Sequence, residues 1–252
     1  MSALPRLSVI MVTHERPILL ADALRSVAAQ TLLPFEVRLA DDGGGASLDA
    51  LGHLPLLELT ALAVGCGQAA AARNAAAAGA RGDVLVFLDD DDLWTPDHLA
   101  GIAPVFADSA VGFAWRDCEV IREVVHADGT RKSLESRRIA RDWNDALMRS
   151  HDYLPPSAWA VRRSLFEAVG GFDETFRYSE DWDLVLRLAQ VTRPVRIPGV
   201  SVEVRLRQEG NASADQNPER FACLERLAAR HGLGKLPPMT FWEVARIVAE
   251  HA

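Results

Sequence analysis

Three short strand-like runs near the start of the chain each break off into polar residues. LSVIMVT (7–13) runs into His14-Glu15, FEVRLA (35–40) into Asp41-Asp42, and VLVFL (84–88) into four aspartates, Asp89–Asp92. Helical signals lie between them. Pro17 suits a first helical position and opens PILLADALRSVAAQ, whose apolar residues recur at helical spacing. QAAAARNAAAAGA (68–80) is dominated by the best helix former, and LLELTALAV (56–64) reads as a third, weaker strand. Such alternation specifies a parallel sheet covered on both faces, with function at the carboxyl ends of its strands. All three polar clusters fall at such ends.

The pattern changes after residue 93. PDHLAGIAPVFA is expected to be a helix and VGFAW (111–115) a strand. CEVIREVVH and TRKSLESRRI flank Ala127-Asp128-Gly129, an Asp-Gly hairpin turn. A helix around 142–150 and a short helix, RSLFEAV, ending at Gly170-Gly171 come next. SEDWDLVLRLAQ (179–190) is an amphipathic helix with Ser179 as its N-cap. VRIPGVSVEVRL is strand-like, and two helical stretches after 217 are separated by Gly232, Gly234, Pro237 and Pro238.

The chain has 252 residues, 49% apolar and 25% charged, an ordinary globular balance with room for a substantial core. A net charge of −8 argues against a nucleic-acid surface, and an anionic substrate would need local arginines or a metal. Cys66, Cys118 and Cys223 are odd in number and lack CxxC spacing, as expected of reduced thiols. The N-terminus lacks a signal-peptide pattern, and no apolar run of about 18 residues occurs to span a membrane. The expectation is a cytoplasmic protein whose membrane association, if any, is peripheral.

Four adjacent aspartates repel one another: at roughly 4 Å, two like charges cost about 1 kcal/mol in water and about 4 at an effective dielectric near 20. A cation should therefore sit among them. Mg²⁺ or Mn²⁺ suits carboxylates on a turn after a rigid strand, completing its shell with phosphate and water. A solvated acidic turn is the plainer alternative. Gly65-Cys66-Gly67-Gln68-Ala69-Ala70 offers another, because GxGxxA between a strand and a helix resembles a dinucleotide fingerprint, with Asp89 as its acid. Asp41 could accept from a nucleobase N–H or simply serve the DDGGG turn. Arg73 could meet a phosphate or neutralise an aspartate. Glu180 and Asp181 start a helix, where the dipole favours acids; one of them could instead be a general base for an acceptor hydroxyl.

Together, SVIMVTHERP, LADDGGG, GCGQAAAARNAA, VLVFLDDDDLWTPDHL, VGGFDE and SEDWDLVLRLA resemble, in order and spacing over about residues 7–215, the family 2 glycosyltransferases of GT-A fold. The resemblance implies a Rossmann-like mixed, mostly parallel sheet flanked by helices. It divides 1–215 into a nucleotide-binding half (1–92) and an acceptor-binding half (93–215), with 216–252 as a C-terminal helical tail. It implies an inverting, Mn²⁺- or Mg²⁺-dependent transfer of a sugar from a nucleotide-diphosphate donor to a hydroxyl-bearing acceptor: a glycan, a lipid-linked molecule or a small molecule. Thr13 and His14 would lie beside the nucleobase, Asp41 would bind it, and Arg73 would line the nucleotide pocket. Asp89, Asp90 and Asp91 match the DxD motif, with Asp90 toward the ribose and Asp91 as metal ligand. Asp181 matches the catalytic base, with Glu180 its neighbour.

Three departures stand out. His14-Glu15 replaces the family's frequent Tyr-Asn, DDGGG loses the hydroxyl of DDGS, and Arg205-Leu206-Arg207 stands where many members have Arg-x-His. An arginine there could contact the diphosphate. The remaining alternatives are a non-catalytic sugar-nucleotide-binding protein of the same fold and a Rossmann dinucleotide-dependent oxidoreductase. Trp115, Trp143, Tyr153 and Trp159 could stack on an acceptor sugar or belong to the core.

Overall fold

The computed structural model describes residues 4–43, 45, 47, 57–126, 130–207 and 216–250. Strand β1 (Leu7–Thr13) leads to helix α1 (Pro17–Ala28), β2 (Glu36–Asp41), β3 (Leu59–Ala63), α2 (Ala69–Ala78) and β4 (Val84–Asp89). Strands β3, β2, β1 and β4 lie side by side in that order, all parallel. The register sets Thr13 beside Asp41 and Val12 beside Asp89, so the three polar clusters meet at one end of the sheet. Leu7–Met11 and Val84–Leu88 are buried without a break, which is why these strands are apolar throughout instead of alternating.

Past β4 the sheet becomes mixed. The remaining elements are β5 (Leu93–Trp94), α3 (His98–Ile102), β6 (Phe113–Val125), β7 (Arg131–Ile139), α4 (Asp145–Met148), β8 (Trp159–Arg162), α5 (Arg163–Ala168), α6 (Glu180–Ala189), β9 (Val195–Leu206), α7 (Pro218–His231) and α8 (Phe241–Glu250). Strand β8 pairs antiparallel with both β4 and β6, and β9 runs parallel to β6 on its other edge. The two-residue β5 closes the far side against β9. This is the mixed α/β sheet, flanked by helices, that the sequence implied.

Several local expectations change. VGFAW and CEVIREVVH are one continuous strand, β6, because the charges that interrupt the apolar run are buried with partners. Arg116 donates to the Asp97 carbonyl (2.7 Å) and carboxylate (3.0 Å), and Asp117 accepts from Arg196 at 2.8 and 3.0 Å. The PDHLAGIAPVFA helix shrinks to the five residues of α3 plus a tighter turn at Val105–Ala107, since Pro104 has no N–H to continue it. Residues 142–150 hold only the single turn α4, capped by Asn144. The proposed Asp-Gly turn lies outside the described residues; its arms, β6 and β7, do pair antiparallel. Trp115, Tyr153 and Trp159 are fully buried core residues and not a sugar platform, and half-buried Trp143 packs on Trp115 with ring centroids 6.0 Å apart.

The C-terminal helices pack firmly onto the rest. Asp183 of α6, fully buried, accepts from Arg187 (2.7 Å), from Arg230 of α7 (3.0 Å) and from His231 (2.9 Å). Arg226 lies 3.9 Å from the Phe176 ring centroid, and Trp242 of α8 takes Arg122 and Arg137 against its face. No helix among the described residues is long and apolar enough to cross a membrane.

His98 is fully buried, stacked on Trp94 at 4.3 Å, with Nδ1 bonded to Ser201 Oγ at 2.8 Å and Nε2 without a partner among the described residues. Burial, then the nearby Arg116 charge, push its pKa well below 6.5. Below pH 6.5 the unfolded chain therefore takes up a proton that the folded chain refuses, and stability falls with the pH. Between pH 7 and about pH 5, wild type should lose about 2 kcal/mol relative to His98→Gln in urea unfolding. A parallel pH dependence in both proteins would contradict this.

Candidate active site

Each strand end delivers its polar residues differently. Thr13 Oγ1 donates to Asp90 Oδ2 (2.7 Å), which locks the end of β1 to the aspartate turn after β4. His14 is exposed at the cavity, and Glu15 adopts φ 54°, in the left-handed region that a residue with a side chain rarely enters. Asp41, expected to bind a nucleobase, is fully buried and does not line the cavity. Its two oxygens accept from the Gly43 and Ser47 amides, both at 2.8 Å, so it holds its own turn. Asp42 is the one that lines the cavity, and it accepts from the Cys66 and Gly67 amides at 2.5 and 3.0 Å.

The opposing wall is the start of α6. Asn74 of α2 reads the Phe172 backbone in both directions, at 2.9 and 3.0 Å. Gly171 (φ 65°) lets the loop approach, because a Cβ there would come within 2.7 Å of Asn74 Oδ1. Arg187 fixes the same loop from the other side, donating to the Val169 and Gly171 carbonyls. Ser179 then takes φ 61° and makes no side-chain cap, contrary to expectation; it is a bend that turns the next two carboxylates inward. Buried Arg73 completes the link, with Nη2 on Asp89 and Nη1 on Glu180, both at 2.7 Å. Burial alone would lower its pKa, but Asp89 and Glu180 more than offset that and raise it.

The acids outnumber their counter-charges. Arg16 Nη1 reaches Asp90 (3.3 Å) and Asp91 (3.2 Å), and Arg207 Nη2 reaches Asp91 (2.8 Å). Asp92 accepts from the Arg205 amide at 3.0 Å. Burial, then the Asp91 charge, push Asp90 up to about 6 and Asp92 well above the usual carboxylate range. Burial and Asp181 likewise raise Glu180 to about 7, despite Arg73, and burial raises Asp181. Asp152, from the loop after α4, joins this group: burial, then Asp181 and Glu180, hold it well above the usual range. Its Oδ1 is sealed from solvent with no hydrogen-bond partner among the described residues.

These groups face one cavity of about 430 Å³. The structure brings Thr13, His14, Arg73, Asp89, Asp90, Asp91, Glu180 and Asp181 to its wall, and leaves out Asp41. Sequence reasoning missed Arg16, Asp42, Asp152 and the tail: Leu224, Pro237, Met239, Phe241 and Val244 supply an apolar wall. Arg16 and Asp42 adjoin residues already singled out, whereas nothing in HDYLPP marks Asp152.

Among the described residues no group of three His, Cys, Asp or Glu side chains could cage a metal alone. Asp91 nevertheless offers an oxygen: both guanidinium contacts fall on Oδ2, and Oδ1 makes no hydrogen bond among the described residues. A hard cation that keeps water and phosphate ligands needs only one or two carboxylates, so the donor set fits.

The model of glycosyl transferase family 2 matches residues 8–170. The chain belongs to that family. An uncharacterized glycosyltransferase of Bacillus subtilis, YwdF, is 32% identical over 240 residues, covering 94% of this chain and 88% of its own. The succinoglycan biosynthesis protein ExoW of Rhizobium meliloti is 27% identical over 194 residues, 70% of this chain and 60% of its own. Among solved structures, TarS of S. aureus (residues 1–349, in complex with UDP-GlcNAc) superposes with a TM-score of 0.65 at 20% identity, over 97% of this chain and 71% of that one. The mannosyltransferase PcManGT of Pyrobaculum calidifontis, in complex with GDP-Man and Mn²⁺, gives 0.64 at 22%, over 98% and 70%. The fold is GT-A, and the chain is a family 2 glycosyltransferase. The dinucleotide alternative for Gly65–Ala70 gives way, and the Cys66 and Gly67 amides there serve Asp42.

A carboxyl whose folded pKa is raised adds stability only while protonated; that contribution fades as the pH rises above its unfolded value of 3.8. Asp152→Asn should therefore melt higher than wild type near pH 8, with the gain gone by about pH 4. Each kcal/mol relieved corresponds to about 2–4 °C in a domain of this size. A lower Tm at both pH values would refute the crowding of these acids.

Proposed function

We propose that this glycosyltransferase moves a sugar from a nucleotide-diphosphate donor to an acceptor hydroxyl by a single in-line displacement with inversion, with Asp181 as general base. The observation that carries the reading is the Arg73 bridge, which sets the Asp89–Asp92 turn and the Glu180-Asp181 pair on one cavity. Donor and acceptor would meet between them. His14 and Asp42 would flank the nucleobase, while Asp41 keeps the turn in shape. Asp90 would face the ribose, and Asp91 would hold Mn²⁺ or Mg²⁺. When bound, such a cation stabilises negative charge growing on the departing diphosphate.

On the opposite side, Asp181 would accept the proton of the attacking hydroxyl. Its oxygen is already oriented, since Oδ1 accepts from the Trp182 amide at 2.8 Å. Burial raises the pKa of Asp181, and the neighbouring Arg73 charge opposes that rise. Glu180, bound to Arg73, positions the pair and does not take the proton. The apolar wall from α7 and α8 would hold the acceptor's less polar part. The UDP-GlcNAc and GDP-Man complexes of the structural neighbours support a nucleotide-sugar donor. The succinoglycan relative supports a place in polysaccharide biosynthesis.

Asp181→Asn should lower kcat by about 10²–10⁴-fold, the usual worth of general-base assistance, while leaving nucleotide affinity nearly intact. Equal loss of turnover and binding would count against the base. For Asp91→Ala, calorimetry with UDP- and GDP-sugars with and without Mn²⁺ should show the metal-dependent part of binding gone. Unchanged affinity in both conditions would refute its role. Nucleotide binding with no turnover, even by slow donor hydrolysis, would favour a binding protein over an enzyme.

A further inference from the structure

Asp91 is held by two guanidinium groups, both on the same carboxylate oxygen. Arg207, one residue past β9, donates through Nη2 to Asp91 Oδ2 at 2.8 Å. Arg16, just before α1, donates through Nη1 to the same oxygen at 3.2 Å and to Asp90 Oδ1 at 3.3 Å. Both lie close to the place where a cation would bind. A guanidinium does not lose its proton in a protein, so these positive charges cannot be neutralised in place and can only move. A divalent ion approaching Asp91 alone would be repelled by both and would compete with them for the carboxylate. A diphosphate matches the fork geometry of guanidiniums displaced from Asp91.

We infer that Arg207, assisted by Arg16, is the resident counter-cation of Asp91 and competes with a divalent ion for it until a nucleoside diphosphate draws the guanidiniums away. With the diphosphate present, Arg207 and Arg16 would turn to its oxygens and leave Asp91 to hold the metal ion. The two affinities then raise each other by the same factor, as linkage requires. This inference rests on the glycosyltransferase reading above. It makes Arg207 a positioning residue whose effect shows in metal binding without any turnover.

The test is Mn²⁺ binding, followed by electron paramagnetic resonance of the free ion, with and without UDP or GDP. Wild type should bind Mn²⁺ weakly alone and about tenfold or more tighter with the nucleotide, within the range usual for coupled sites. Arg207→Gln should bind Mn²⁺ alone about tenfold tighter than wild type and lose most of the coupling. Arg16→Gln, with its longer contacts, should shift both quantities the same way by less, and serves if Arg207→Gln fails to fold. If the variants bind nucleotide yet hold Mn²⁺ no tighter, or keep the full coupling, the inference is overturned alone. If wild type binds neither UDP nor GDP, the glycosyltransferase reading falls with it.

Discussion

One buried guanidinium holds the site together. Arg73 sits on a helix made almost wholly of alanine, whose small buried faces at Ala70, Ala72, Ala76 and Ala77 bring α2 close to the sheet. That closeness leaves the long side chain only one direction, between the end of β4 and the start of α6. There it meets Asp89 and Glu180 and lies 5.4 Å from the centroid of the Phe172 ring. Removing one partner of such a buried pair is far more damaging than never having had it, because the survivor stays charged and out of water. What the pair supplies is registry between the two halves of the molecule: the donor end and the base end share one ion.

The donor half was legible in the sequence because its physics is local. A parallel strand buried on both faces is largely apolar along its length and turns polar where it emerges, as LSVIMVT and VLVFL do. The second half depended on pairings that sequence periodicity does not reveal. The run through Arg116-Asp117 looked like a break, yet both charges found partners more than fifteen residues away and the strand ran on. Asp41 and Asp42 are adjacent and chemically identical; only the direction of the turn decided which one lines the cavity. Asp152 carried no sequence signal, since its importance arises from proximity to Glu180 and Asp181.

The same crowding that makes the cavity useful makes it uncomfortable. Asp90, Asp92, Asp152, Glu180 and Asp181 all hold their protons more tightly than free carboxyls would. The two non-glycine residues in left-handed conformation among the described residues, Glu15 and Ser179, flank the aspartate turn and the base helix respectively. Strain of this kind persists only where the surroundings over-determine it. Here those surroundings are the Asn74 clamp, the Arg73 bridge and the sheet itself.

The Asp183 network ties α7 to the very helix that carries the base, and α8 supplies part of the cavity wall. During synthesis the sheet and both acidic turns leave the ribosome before the apolar wall does. A nascent chain ending before α7 therefore lacks that wall, and Asp183 waits with Arg187 as its sole partner among those described.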